Sequence, residues 1–325
     1  MGGPIRGLDV VALPEEREQG QPSRWLRSTA PRSKVGQQQE RLGWLLVLPS
    51  VLVVCAVAIY PLLESFRLSF TNLRLTRPDA WRYVGFDNYT RLFNDSQFLA
   101  SLKNTIIFTV SSVALETILG MIVALTIHSA FRGRGLVRTS MLVPWAIPTV
   151  VSSLLWQWMF NDRYGAVNAV LKAVGVMDEA TNYSWISDPT TALAAVVAVD
   201  VWKTTPFMAL LLLAGLQVIP SDVYEASRVD GASKWQQFWQ ITLPLLRPAL
   251  LVALIFRTMA SFRVFDMIYV LKGYASETMS VAVYTHRELI NSQRIGFGSA
   301  AAVIIFLCIG LLVVGYTRLI RVEEG

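Results

Sequence analysis

Residues 217–247 read QVIPSDVYEASRVDGASKWQQFWQITLPLLR, a polar and aromatic stretch held between two long apolar runs. Ile219-Pro220 ends the element before it, because the residue ahead of a proline is pushed out of the helical region. Ser221 is placed as an N-cap, with Asp222 and Glu225 in the first turn, where the helix dipole favours carboxylates. Gly231 then breaks the helix. Ser233 and Gln236 stand at capping-box spacing and open a second short helix. That helix puts Trp235, Phe238 and Trp239 on one face at i, i+3, i+4 spacing, and Pro244 is expected to stop it. The segment reads as two short helices hinged at a glycine. Such a knob either projects rigidly into water or lies on lipid as an amphipathic hairpin.

The frame around it is a membrane. Apolar residues make up 53% of the 325-residue chain and charged residues only 16%, against roughly 25% charged in soluble domains; mean hydropathy is +0.45. About 20 apolar residues at helical rise cross the hydrocarbon layer, and six runs qualify: 44–63, 105–127, 140–160, 191–216, 248–267 and 297–316. Lipid offers no water to free backbone groups, so each must be a helix, and the alternating pattern of a barrel is missing. The fold class is therefore an all-α polytopic membrane protein with six transmembrane helices. Four parts follow: a tail at 1–43, the first transmembrane helix and an outer loop at 44–103, a five-helix core at 104–317 that contains the 217–247 loop, and a tail at 318–325. The first tail holds five acidic and seven basic residues among scattered Pro, Gly and Gln. It cannot bury a core and reads as disordered, and it lacks the layout of a cleavable signal.

Arg132, Arg134 and Arg138, with no acid among them, place the loop between the second and third spans in the cytoplasm. Alternation then puts both termini and the 217–247 loop on that side, and Arg318 and Arg321 agree. Arg67, Arg74, Arg77, Arg82 and Arg91 fall in the outer loop, which is long, and long loops follow the rule poorly. Topology thus accounts for the net charge of +6, and nucleic acid is not a partner. Cys55 and Cys308 sit in apolar runs and pack as small hydrophobes. There is no internal repeat of the kind common in secondary transporters.

Glu225-Ala226-Ser227, Gly231 and Ile241-x-Leu243-Pro244 fit the spacing EAA-x3-G-x9-I-x-L-P of permease subunits of binding-protein-dependent ABC importers, with Ser227 in place of the second alanine. The resemblance extends over residues 44–317. Val84-Gly85-Phe86-Asp87-Asn88-Tyr89, Pro144-Trp145-Ala146-Ile147-Pro148, Trp202-Lys203-Thr204-Thr205-Pro206-Phe207 and Phe265-Asp266-Met267-Ile268-Tyr269-Val270-Leu271 are similar to the sugar permeases of the MalF type, which include trehalose, maltose and glycerol-phosphate branches. Where that family often carries Thr-Gly-Gly-Pro, Lys272-Gly273-Tyr274-Ala275 stands here, in a loop expected to face the binding protein. The resemblance implies a MetI-like permease core that moves a carbohydrate, a di- or oligosaccharide such as trehalose or maltose. It implies that the 217–247 loop docks on a separate ATPase, with Glu225 in Glu225-Ala226-Ser227 as the polar contact, Gly231 as the bend, and Ile241, Leu243 and Pro244 as the return to the membrane. The partners implied are a second permease subunit in a heterodimer, two cytoplasmic ATPase subunits that hold ATP and Mg, and an extracytoplasmic sugar-binding protein. The location implied is the cytoplasmic membrane of a prokaryote. No cofactor is implied for this chain.

A charge at mid-bilayer costs at least about 2.5–3.5 kcal/mol, so Glu116, Asp200, Lys203, Arg257 and Arg263 are candidates for a substrate cavity, with Asp266 near an outer end. Asp200 and Lys203 are three apart and can face each other, as can Arg263 and Asp266. Internal pairing and a sugar-gripping cavity both remain open on this count. Lys203 and Arg257 lie about 18 and 14 Å into their spans from opposite faces, near the midplane where transporter sites tend to lie. Both are donors only, and a sugar supplies acceptor oxygens. Pro144, Pro148 and Pro206 are expected to kink their helices.

No Gly-x4-Gly-Lys-Ser/Thr phosphate loop and no Gly-x-Ser-x-Gly elbow occurs, and His128 and His286 are too far apart in sequence to read as a metal pair. The chain therefore reads as a non-enzyme, without catalytic residues or metal ligands. An ion- or proton-coupled secondary carrier using Asp200, Lys203 and Arg257 as a relay is the alternative from a different class, and a membrane-embedded enzyme is a third.

Overall fold

The computed structural model describes residues 34–129 and 131–323, so most of the tail read at 1–43 lies outside the described residues; Lys34 already begins a helix. At the other end the last helix runs on to Glu323, through most of the expected second tail. An isolated bridge between Thr71 and Tyr83 is the sole β pairing among the described residues.

The chain divides into two units, 1–57 and 58–325. The first contributes the helix Lys34–Val54, apolar and exposed from Leu42 onward, and the start of a π turn. It opens the helical run α1 (Arg41–Ser69), long and apolar enough to cross a bilayer. In the second unit follow α2 (Ser96–His128), α3 (Arg134–Ala146), α4 (Thr149–Met159), α5 (Ala192–Val218), α6 (Ser221–Val229), α7 (Leu243–Phe262), α8 (Asp266–Lys272) and α9 (Ile295–Glu323). Among the described residues five helices are long and apolar enough to cross a membrane, or six when α3 and α4 are counted as one broken span.

The bend expected from the prolines of the span at 140–160 is a full break, and the span begins earlier, at Arg134. Its halves meet at 92°. Ile147 has ψ 133 and Pro148 ψ 140, both extended: a proline drives its predecessor out of the helix and brings no N–H of its own. Pro206, by contrast, lies inside α5 without ending it.

α2, α5 and α7 pack together as the heart of the second unit. α2 and α5 approach so closely at Gly120 that a Cβ there would stand 2.7 Å from Met208 Cγ, the kind of contact small residues permit between membrane helices. Asp95 caps α2 by accepting from the Gln97 and Phe98 amides at 2.8 and 3.1 Å, and Tyr284 donates to its other oxygen at 2.8 Å. The core falls into two apolar clusters. One gathers Phe98, Phe108, Val199, Phe262 and Tyr284; the other gathers Met121, Met208, Leu212, Leu216 and Leu246 near the 217–247 loop.

Candidate functional site

The loop is built differently from its sequence reading in two places. Pro220, not Ser221, takes the N-cap position of α6, and the Ser221 hydroxyl donates to Asp222 Oδ1 at 3.3 Å. Pro220 has no side-chain acceptor, so α6 begins without a side-chain cap, and Ser221 is displaced inward by one residue. Pro244 also does not stop the second helix. Lys234–Gln237 passes through a π turn at Phe238–Thr242 directly into α7, with Pro244 in its first turn.

The hinge itself is well defined. The Ala232 amide donates to the Ser227 carbonyl at 2.9 Å and the Gly231 amide to the Arg228 carbonyl at 3.1 Å, while Gly231 has φ 80. This is a Schellman motif, which closes a helix through a left-handed residue that glycine adopts without steric cost. Ser233 and Gln236 form both bonds of the capping box, at 2.8 and 3.3 Å. Glu225 and Ala226 are exposed; Ser227 is buried and donates to the Tyr224 carbonyl at 2.9 Å. The Tyr224 hydroxyl meets Thr242 Oγ1 at 3.1 Å and ties α6 to the π turn. Ile219, Phe238 and Leu243 pack against the lower apolar cluster, and Ile241 and Pro244 are half-buried beside it. Several apolar side chains of the loop are left in the open, with Val229 at 88% exposure and Trp235 at 70% toward its hinge.

Three of the five intramembrane charges, Glu116, Asp200 and Arg257, come together between the two apolar clusters. Arg257 on α7 donates from Nε to Glu116 Oε2, from Nη2 to Glu116 Oε1 at 2.7 Å, and from Nη2 to Asp200 Oδ2. All three residues are buried. Thr204, which the sequence reading did not single out, donates to Glu116 Oε1 at 2.7 Å; its signal was its place four residues after Asp200 on the same helix face. Desolvation of such a cluster is repaid only where each charge finds partners of good geometry, and here three helices supply them.

Lys203 does not pair with Asp200. Its Nζ donates to the Ile147 carbonyl, the acceptor freed where α3 breaks. Inside a bilayer a broken helix persists only where such groups are re-satisfied, so a lysine from α5 completes a turn of the preceding span. Arg263 and Asp266 are exposed and form no ion pair with each other among the described residues, which corrects the pairing expected for them. Arg263 stands apart from the Glu116, Asp200 and Arg257 cluster.

At the end of the bundle opposite the loop lies an open groove of about 880 Å³, lined by Trp158, Asn161, Tyr164, Tyr269, Lys272 and Tyr274 among others. None of the five charged candidates lines it. No group of three or more His, Cys, Asp or Glu suited to a metal ion occurs among the described residues.

Residues 116–321 match the family described as binding-protein-dependent transport system inner membrane component. The chain belongs to that family, and it is a membrane transport permease. The match takes in the whole ion cluster and the whole 217–247 loop. Among curated relatives, the trehalose/maltose transport system permease protein MalF of Thermococcus litoralis is 41% identical over 293 residues, 89% of this chain and 97% of that one. The trehalose transport system permease protein SugA of Mycobacterium tuberculosis is 37% identical, over 90% of this chain and 93% of its own. The fold is that of a subunit in the crystal structure of a bacterial alginate ABC transporter in complex with an alginate-pentasaccharide-bound periplasmic protein, with TM-score 0.77 at 23% identity, covering 89% of this chain and 97% of that one.

Proposed function

We propose that this chain is the permease subunit of an ATP-driven importer that moves a di- or oligosaccharide, of the trehalose or maltose kind, across the cytoplasmic membrane of a prokaryote. Both termini and the 217–247 loop lie in the cytoplasm. A homologous second permease completes the pore, two ATPase subunits carry ATP and Mg, and an extracytoplasmic binding protein delivers the sugar. The relatives named for trehalose and maltose support the substrate class.

The observation that carries the coupling role is the construction of the loop. Its tip exposes Val229 and Trp235, while its base is bonded through Tyr224 and Thr242 and packed on the lower cluster through Phe238 and Leu243. A push on such a tip moves α5 and α7 as rigid bodies. Glu225, Ala226 and Gly231 shape the docking face, and Ile241, Leu243 and Pro244 carry the displacement into the membrane. Ser227 is buried, so it supports that face from beneath. Glu116, Asp200 and Arg257 hold the three moving helices in register. Lys203 keeps two N–H donors beyond the one given to Ile147, and of the five charges it is the one best equipped to reach a sugar oxygen.

A cysteine at Val229 and cysteines in the cleft of the partner ATPase test the docking. Cross-linking that responds to nucleotide supports it; labelling of position 229 only from outside intact cells overturns both docking and orientation.

A further inference from the structure

A small cavity of about 290 Å³ lies at the end of the bundle that carries the 217–247 loop, and its walls converge from three elements. His128 comes from the last residue of α2, Arg134 and Arg138 from successive turns of α3, and Gln217 from the last turn of α5. No carboxylate lines it. Among the described residues, neither guanidinium has an ion-pair or hydrogen-bond partner, and both are exposed. Topology needs arginines near this span end, yet it needs only their charge; it does not require them to converge with an imidazole and an amide on one cavity. Beside them Phe131, Leu136 and Val137 are exposed apolar side chains on the same short segment. Cations over a small cavity, with exposed apolar side chains on the same segment at the end of a membrane span, match the two halves of a lipid.

We propose that this cavity binds the headgroup of an anionic phospholipid. Arg134 and Arg138 hold the phosphodiester, for which a planar guanidinium offers paired donors. His128 and Gln217 are placed to hydrogen-bond the polar substituent beyond the phosphate. The acyl chains leave along the apolar side chains on the arginine side of the segment, Val137 and Phe131, with Ile127 and Leu213 in the cavity wall. The exposed apolar side chains beside the cations are what commit the site to a lipid over a free phosphate, and basic pockets at helix ends are a general mode of anionic headgroup recognition.

The test uses the full chain in mild detergent, with phosphatidylglycerol and phosphatidylcholine of identical acyl chains as probes and native mass spectrometry as the readout. Two cationic contacts predict a preference for phosphatidylglycerol of roughly 30-fold. The double variant Arg134→Gln/Arg138→Gln should bind both lipids alike, while Arg132→Gln, outside the cavity, should keep the preference. A double variant with undiminished preference overturns the site. Free glycerol phosphate competing as well as the lipid overturns the lipid as its occupant. A second measurement needs no variant: phenylglyoxal labelling of Arg134 and Arg138 in the wild-type chain should be suppressed by phosphatidylglycerol and untouched by phosphatidylcholine. Equal labelling in both lipids also overturns the proposal.

Discussion

Arg257 on α7 and Glu116 on α2, 141 residues apart in the chain, meet as a two-pronged ion pair, with Asp200 of α5 on the same guanidinium. The contact sits where the two apolar clusters of the second unit abut. It acts as a bolt through the three helices that flank the loop, and it gives a direct prediction. Arg257→Met leaves two buried carboxylates facing each other and should cost about 3–5 kcal/mol, read as a large fall in the thermal midpoint of the purified chain in detergent. Glu116→Gln keeps a hydrogen-bond acceptor for the guanidinium and should cost less. Equal stability of Arg257→Met and wild type would show that the cluster does not hold the bundle.

Lys203→Met removes the donor that satisfies the Ile147 carbonyl at the break between α3 and α4. An orphaned buried acceptor costs about 1–3 kcal/mol. Hydrogen exchange should rise locally, around residues 143–152, with the rest of the chain unchanged. If Lys203 also touches sugar, the same variant lowers transport beyond what its stability loss explains. Unaltered exchange at the break would remove the capping role.

These contacts also show how far the sequence could be read. Long apolar runs and the capping box at Ser233 and Gln236 are local, and hydropathy or a three-residue spacing is enough to place them. Pro148 marked where a span was permitted to bend, but the donor that satisfies the 92° break comes from Lys203, 56 residues from its acceptor Ile147. Internal pairing of Lys203 and Arg257 with Asp200 and Glu116 was open from the charges alone, but not which base would take which acid. Spacing on one helix favoured Asp200 with Lys203, whereas helix packing put Asp200 against Arg257. Ser221 and Pro244 were misread for a related reason: each was judged by its own residue type, and each position was set by the neighbouring backbone.

Gly231→Pro cannot reach φ 80 and loses the amide that donates to Arg228. The Schellman turn should open and the tip swing away from its docking angle, while the apolar spans still insert. Membrane abundance should be normal and transport nearly abolished. Gly231→Ala should give a partial loss, about 1 kcal/mol at the hinge. Full transport by Gly231→Pro would end the hinge role.

Beside the outer groove, Lys272 donates to the Ile186 carbonyl at 2.7 Å and pairs with Glu277 at 2.8 Å. That hydrogen bond holds the Glu277 carboxyl below its ordinary value of 4.5. A depressed folded value stabilises the protein fully above the unfolded one and loses that contribution as pH falls through the folded value. The thermal midpoint should therefore drop on acidification below about pH 4.5, and Glu277→Gln should remove that part of the drop. A variant with the wild-type acid profile would contradict the pairing.

The central claim is that this permease works by coupling to a separate ATPase. The most direct measurement is sugar uptake into proteoliposomes that hold the chain with its second permease and ATPase, with loaded binding protein outside and ion gradients collapsed by ionophores. The account predicts uptake that requires ATP on the ATPase side and is unaffected by the ionophores. Uptake by this chain without an ATPase, driven by an ion gradient and lost with it, would contradict the account and make Asp200, Lys203 and Arg257 the relay of a secondary carrier.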